Sequence, residues 1–311
     1  MELSVQTQNL VDDYGPELTY KMIKDAGFSA VDWNIDHAWS FAKVKKAEKL
    51  DGLCIFEKEL PEIIACYADE LECIRKNGLK ITQAHSPFPA YEYGREDILE
   101  YAIRIYRKMI LFCGEVGCPR LIVHGISVRP GDPLTQEECD RLNSHLYESL
   151  IPELLKTDVT VCLENLFSGY GFLGTGYREG VCSDPYEAAA MIDALNAKAG
   201  KECFGFCLDT GHINLLRIDF RRYMPILGKR ICALHIHDNN QIADQHLAPY
   251  TGNIIWSEFL SELKKTGYCG DLSFETFAQV SKNRLPLRLV PAFLKLIAET
   301  GEYFREYLLQ S

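Results

Sequence analysis

No apolar run in this 311-residue chain approaches the roughly 20 residues that span a bilayer, so no membrane crossing is expected. The opening residues Met1-Glu2-Leu3-Ser4-Val5-Gln6 carry neither the basic stretch nor the apolar core of a secretory signal, and a cytoplasmic setting is the expectation. The 12 cysteines include no Cys-x-x-Cys pair, which argues against a disulfide framework and for reduced thiols. Cys162, Cys207 and Cys232 fall inside apolar runs, where Cys behaves as a small hydrophobe. Positive charge is in deficit: 33 Lys and Arg face 44 Asp and Glu, a net charge of -11. That balance disfavours nucleic acid as the main partner, because phosphate binding rests on Lys and Arg. No linker, low-complexity run or charge block interrupts the chain, so residues 1–311 read as one domain.

What is present is an ordinary globular composition, 47% hydrophobic and 25% charged, in a repeating order. Short apolar runs at 3–8, 28–35, 80–84, 120–124, 160–164, 205–209, 232–237 and 271–275 read as strands. Their interiors are nearly continuous rather than alternating, as in strands covered on both faces of a parallel sheet. Helical patterns lie between them. Ile98, Ala102, Ile105, Met109, Cys113 and Val116 form one stripe at helical spacing. Thr135 with Glu138 makes a capping box, and Asp184-Pro185-Tyr186-Glu187 is a helix start. Eight strands alternating with helices predict a (β/α)8 TIM barrel, for which roughly 250 residues is typical. The excess includes residues 36–59, an insertion after the second strand, read as a lid or a contact between copies in a homo-oligomer, or else as a solvated loop. A doubly wound sheet would want a Gly-rich turn after the first strand, and Asn9-Leu10-Val11-Asp12-Asp13-Tyr14-Gly15 is not one.

Barrel chemistry sits where strands end. Here those ends read His85, His124, Glu164-Asn165, Asp209-Thr210-Gly211-His212, His235-Ile236-His237-Asp238 and Glu275-Thr276, with Asp244 and His246 in the loop after the seventh strand. Of the eight histidines only His145 falls in a predicted helix, and His37 follows the second strand. The bland alternative is a set of scattered loop polars. Three carboxylates ending apolar runs weigh against it, since Glu164, Asp209 and Glu275 brought together would repel. A divalent cation is the simplest compensation, with Mn, Co, Mg or Zn all suited to imidazole and carboxylate. Trp33, Trp39 and Phe88 are candidates for an apolar wall beside a substrate, with core packing as the alternative.

These strand-end motifs, in this order, resemble the xylose isomerase-like TIM-barrel superfamily of sugar isomerases, ketose 3-epimerases and the endonuclease IV group. The resemblance to the epimerase branch implies one divalent ion held by Glu164, Asp209, His235 and Glu275, with His237 as the fallback for His235, and no organic cofactor. It implies that Glu164 and Glu275 exchange a proton beside a carbonyl through a metal-stabilised enediolate. His212, His85, His124, His237 and His246 would bind a small sugar or sugar derivative. The same site serves a lyase or dehydratase. The sequence departs from the epimerase pattern at Tyr170 and Gln241, where that branch has a Glu and an Arg against substrate. The endonuclease IV branch implies a second set, a trinuclear zinc phosphodiesterase with His85, His124, Glu164, Asp209, His212, His235, Asp244, His246 and Glu275 as ligands.

Overall fold

Eight of the apolar runs become strands of one sheet. In a computed structural model that describes residues 1–35, 39–128, 131, 133–170 and 176–310, the strands are β1 (Leu3–Gln6), β2 (Ala30–Asn34), β3 (Lys80–His85), β4 (Arg120–Ile122), β5 (Thr160–Glu164), β6 (Phe167–Tyr170), β7 (Tyr177–Glu179), β8 (Phe204–Asp209), β9 (Ile231–His235) and β10 (Leu272–Phe274). Eight of them pair in the order β10-β1-β2-β3-β4-β5-β8-β9. The pairs β1–β10, β1–β2, β3–β4 and β4–β5 are all parallel. The ends of that order are joined: Ile236 bridges Phe274, its N–H donating to the Ser273 carbonyl at 2.8 Å while the Glu275 N–H donates to its own carbonyl at 3.0 Å. The fold is therefore the (β/α)8 TIM barrel expected. A hairpin absent from the sequence reading, β6 with β7, pairs antiparallel by itself after β5.

The chain divides into two compact units, Met1–Trp33 with Ala68–Thr82 and Cys207–Ser311, and Asn34–Tyr67 with Gln83–Phe206. In the first, Trp256, Phe259, Phe274 and Phe304 form an aromatic cluster with centroids 5.4 to 6.4 Å apart. Trp33 belongs to this unit's interior rather than to a substrate wall, for its ring is fully buried and its Nε1 donates to Glu70 at 2.7 Å.

In the second unit, helix Glu96–Val116 opens on Glu96 and Asp97, which suit a helix N-terminus, and stops at Gly117 in the left-handed region (φ 76°). Its predicted stripe is buried at Ile98, Ala102, Ile105, Met109 and Cys113. Thr135 and Glu138 make the expected reciprocal cap on helix Gln136–Glu148, where His145 lies on the surface beside Glu100. The insertion after β2 is not a bare loop. Residues 36–38, His37 among them, lie outside the described residues; the remainder holds helix Phe41–Lys46 and a 3-10 turn at Ile55–Glu57. Trp39 stacks on Tyr101 at 5.6 Å and is buried, which again is packing.

Glu57 fastens this insertion. Its carboxylate accepts from the N–H groups of Gly52, Leu53 and Cys54 and from the Tyr101 hydroxyl. Burial alone would raise its pKa, but these four donors outweigh burial and hold it below the ordinary value. A depressed folded pKa contributes stability above the unfolded value, about 4.3, and loses it as pH falls through the folded one. Glu57→Gln is therefore expected to melt earlier than wild type at pH 7, with the gap closing toward pH 3. A gap that stays constant across that range would refute the assignment.

No helix of the described residues is long and apolar enough to cross a membrane.

Candidate metal centre

Three strand ends of the first unit carry its acids and imidazoles. β8 ends in Asp209, β9 in His235, and Glu275 follows β10. Each is buried, and one ligand atom from each lies within 4.8 Å of the others. Asp209 also caps the short helix Thr210–Leu215, accepting from the His212 N–H at 2.6 Å. Both its oxygens lie 2.9 to 3.0 Å from His237 Nε2, which must be the donor because a carboxylate only accepts. His237 Nδ1 is then a lone pair. It lies 4.0 Å from Asp244 Oδ1, and neither atom has a hydrogen-bond partner among the described residues.

Asp244 and His246 come from the loop after β9. His246 Nδ1 is 3.1 Å from the Glu275 carbonyl oxygen, to which it donates, so its Nε2 faces Asp244 Oδ2 at 3.0 Å. Those two atoms repel unless the ring takes a second proton or a cation lies against both. Burial pulls the His246 pKa down, yet Glu275 and Asp244 hold it well above the ordinary imidazole value. Asp244 is held well below the carboxylate range, because His246 and His212 outweigh its burial. Glu275 is likewise held low against burial by His235, His246 and His237. Its two oxygens differ. Oε1 accepts from Gln6 Nε2 at 2.8 Å, while Oε2 faces His246 Nδ1 at 3.4 Å, His235 Nδ1 at 3.7 Å and His237 Nε2 at 4.0 Å.

The loop that brings Asp244 in is tied at both ends by one carboxylate. Asp238 is fully buried and accepts from the N–H groups of Asn239 and Ile254 and from Trp256 Nε1. Its backbone pairs with Leu247 in both directions. The His237 ring lies against the backbone at Gly211. A Cβ on Gly211 would fall 1.9 Å from His237 Cε1, so only glycine fits there.

The second unit has its own cluster. His85 ends β3, Glu164 ends β5, and His124 lies two residues beyond β4. His85 Nδ1 donates to the Ser86 carbonyl at 2.7 Å, which leaves Nε2 as a lone pair in the neutral ring. That atom is 3.0 Å from His124 Nε2 and 3.9 Å from Glu164 Oε2, and the last two are 2.9 Å apart. The circle through these three atoms has a radius of about 2.0 Å, the length of a metal–imidazole bond. Phe88 packs its ring on His124 at 4.4 Å and on His85 at 5.3 Å, and is 46% exposed.

With these sites described, the family follows from sequence. Residues 21–297 match the Xylose isomerase-like TIM barrel family. The chain belongs to that family. The y4fM protein of Sinorhizobium fredii is 22% identical over 277 residues, 85% of this chain and 82% of its own length. Among solved structures, a D-tagatose 3-epimerase-like protein superposes with a TM-score of 0.69 at 20% identity, covering 99% of this chain and 97% of its own. The IolI protein with a bound zinc atom gives 0.68 at 14%, covering 99% and 98%.

Within this family member, the structure brings Asp209, His235 and Glu275 together with His212, His237, Asp244 and His246 in one unit. It brings His85, His124 and Glu164 together in the other. Sequence reasoning missed Gln6, which orients Glu275, and Asp32, whose Oδ2 lies 3.3 Å from His235 Nε2. Both were visible as polar residues at or inside apolar strands, the same signal that picked out Glu164. Gln241, which replaces the Arg of the epimerase pattern, donates to Asn214 Oδ1 at 3.0 Å.

Proposed function

We propose that this protein is a divalent-metal-dependent sugar isomerase or epimerase, with its 311 residues acting as one cytoplasmic catalytic domain. The observation that carries the reading is the buried convergence of Asp209, His235 and Glu275, two acids and an imidazole whose charges call for a cation. The lone pairs of His237 Nδ1 and Asp244 Oδ1, opposed at 4.0 Å, fit the same chemistry. Asp209, His235 and Glu275 would hold the ion, and the family resemblance adds Glu164 as the fourth ligand. Relatives by fold named as a D-tagatose 3-epimerase-like protein and a zinc-bound IolI support both the sugar and the metal.

A bound cation supplies charge that polarises a carbonyl and offsets the negative charge left when the adjacent C–H loses its proton. The protein's own groups do the rest. Glu275, with Oε1 held by Gln6, presents Oε2 to take or return a proton. By the family resemblance Glu164 would be its partner, the two exchanging roles in the reverse direction. His212 and His246 orient hydroxyls. A lyase or dehydratase would use the same pair on a keto-sugar or oxidised glycoside.

Chelation is the test. Stripped protein is expected to lose activity on a panel of ketoses, keto-polyols and oxidised glycosides, and to regain it with Mn, Co, Mg or Zn at about one ion per chain. Activity indifferent to chelators would end the proposal. A second reading is a trinuclear zinc phosphodiesterase of the endonuclease IV kind. What favours it is the His85–His124–Glu164 triangle together with the Asp244–His246 pair, two further donor groups that one ion does not need. Close to three zinc ions per chain, with cleavage of abasic DNA, would select it over the sugar enzyme.

A further inference from the structure

Asp32 is out of character for its strand. β2 is buried throughout, between Val31 and Trp33, and Asp32 is fully buried with them. A carboxylate persists in such surroundings only when its oxygens are engaged. Ser273 on β10 donates its hydroxyl to Asp32 Oδ2 at 3.0 Å, reaching across β1, which lies between the two strands in the sheet. The same oxygen lies 3.3 Å from His235 Nε2, and His235 is itself fully buried. The other ring nitrogen, Nδ1, faces Glu275 Oε2 at 3.7 Å.

We propose that Asp32, steadied by Ser273, is a positioning residue that fixes His235 in the tautomer protonated at Nε2 and so keeps Nδ1 as the lone-pair nitrogen facing Glu275. The inference rests on the reading of His235 as a metal ligand and assigns which of its nitrogens binds. A neutral imidazole has one N–H and one lone pair, and a carboxylate can only accept. Either tautomer sets one lone pair against a carboxylate, but the Asp32 oxygen is the closer, at 3.3 Å against 3.7 Å for Glu275 Oε2, and only the Glu275 side is where a cation would lie between the two. The favoured ring therefore carries its proton on the Asp32 side. Metal-binding histidines are commonly held by a carboxylate in this way, which fixes the ring and raises its basicity. The β10 segment then serves the site twice, through Ser273 within the strand behind His235 and through Glu275 just past its end in front of it.

The tautomer is read from the 15N shifts of the His235 ring in the metal-free protein at pH 8, assigned by the signal missing from His235→Gln. Affinity for Mn²⁺ alone is read by calorimetry. Wild type is expected to show Nε2–H. Asp32→Leu, which removes the acceptor, is expected to give a mixed or Nδ1–H ring and to weaken Mn²⁺ binding by about 10- to 100-fold. Asp32→Asn keeps an acceptor oxygen and should recover most of the tautomer bias. Ser273→Ala should lose affinity in the same direction by a smaller factor, which keeps the test open if Asp32→Leu fails to fold. An Nδ1–H ring in wild type, or an unchanged ring and affinity in the Asp32 variants, overturns the proposal. If instead wild type binds no Mn²⁺ while the tautomer still follows Asp32, the positioning role stands and the metal-enzyme reading is what fails.

Discussion

Glu275→Gln is expected to slow exchange of the substrate's proton with solvent by about 10²- to 10⁴-fold, the range a positioned acid or base contributes. The substitution keeps the side chain's size and an acceptor oxygen for Gln6 Nε2, so the local hydrogen bond to β1 survives. What disappears is the charge. Glu275 Oε2 sits among His235, His237 and His246, which hold its carboxylate ionised against its burial. An amide there neither takes a proton nor balances those rings. Exchange is followed by NMR in D2O, with bound metal measured on the same sample. Full exchange with metal retained would remove Glu275 from the chemistry. Metal lost with exchange would show that its weight falls on ligation.

The second large effect is expected from one methyl group. Gly211→Ala places a carbon 1.9 Å from His237 Cε1 and 2.4 Å from Nδ1. The ring has no room to withdraw. His246 stacks on it at 4.2 Å with planes 19° apart, His212 meets it edge-on at 5.9 Å, and Asp209 grips Nε2. Overpacking of this kind destabilises by about 1–3 kcal/mol. Relief by rotating His237 would break its bond to Asp209, so weaker metal binding should accompany the lower melting temperature. Wild-type melting and wild-type metal affinity together would contradict the tight packing described.

The barrel was legible because parallel strands covered on both faces are written as continuous apolar runs, and β5 matches its expected bounds, Thr160–Glu164. β4 ends earlier than expected, at Ile122, yet the Val123 N–H still donates to the Cys162 carbonyl, so backbone pairing fades rather than stops before His124. Leu60–Cys66 and Ala68–Lys76 are two helices parted at Tyr67, a break that apolar spacing does not encode. The β6–β7 hairpin is too short to show alternation and is held partly by Phe167 against Tyr177 at 4.7 Å. For the site, the residue types at strand ends were readable, whereas partnerships were not. Nothing in the sequence says that Gln6 meets a residue 269 positions away, or that Trp33 and Trp39 turn inward while Phe88 stays exposed.

Asp238 gathers the N–H groups of Asn239 and Ile254, so the stretch between them leaves the barrel and returns to it at a single knot. A chain fastened that way can lengthen, shorten or change composition at its tip without disturbing the strands that anchor it. Members of one lineage could thus trade that tip, Asp244 and His246 included, to suit different molecules while the carboxylate clasp beneath stays the same.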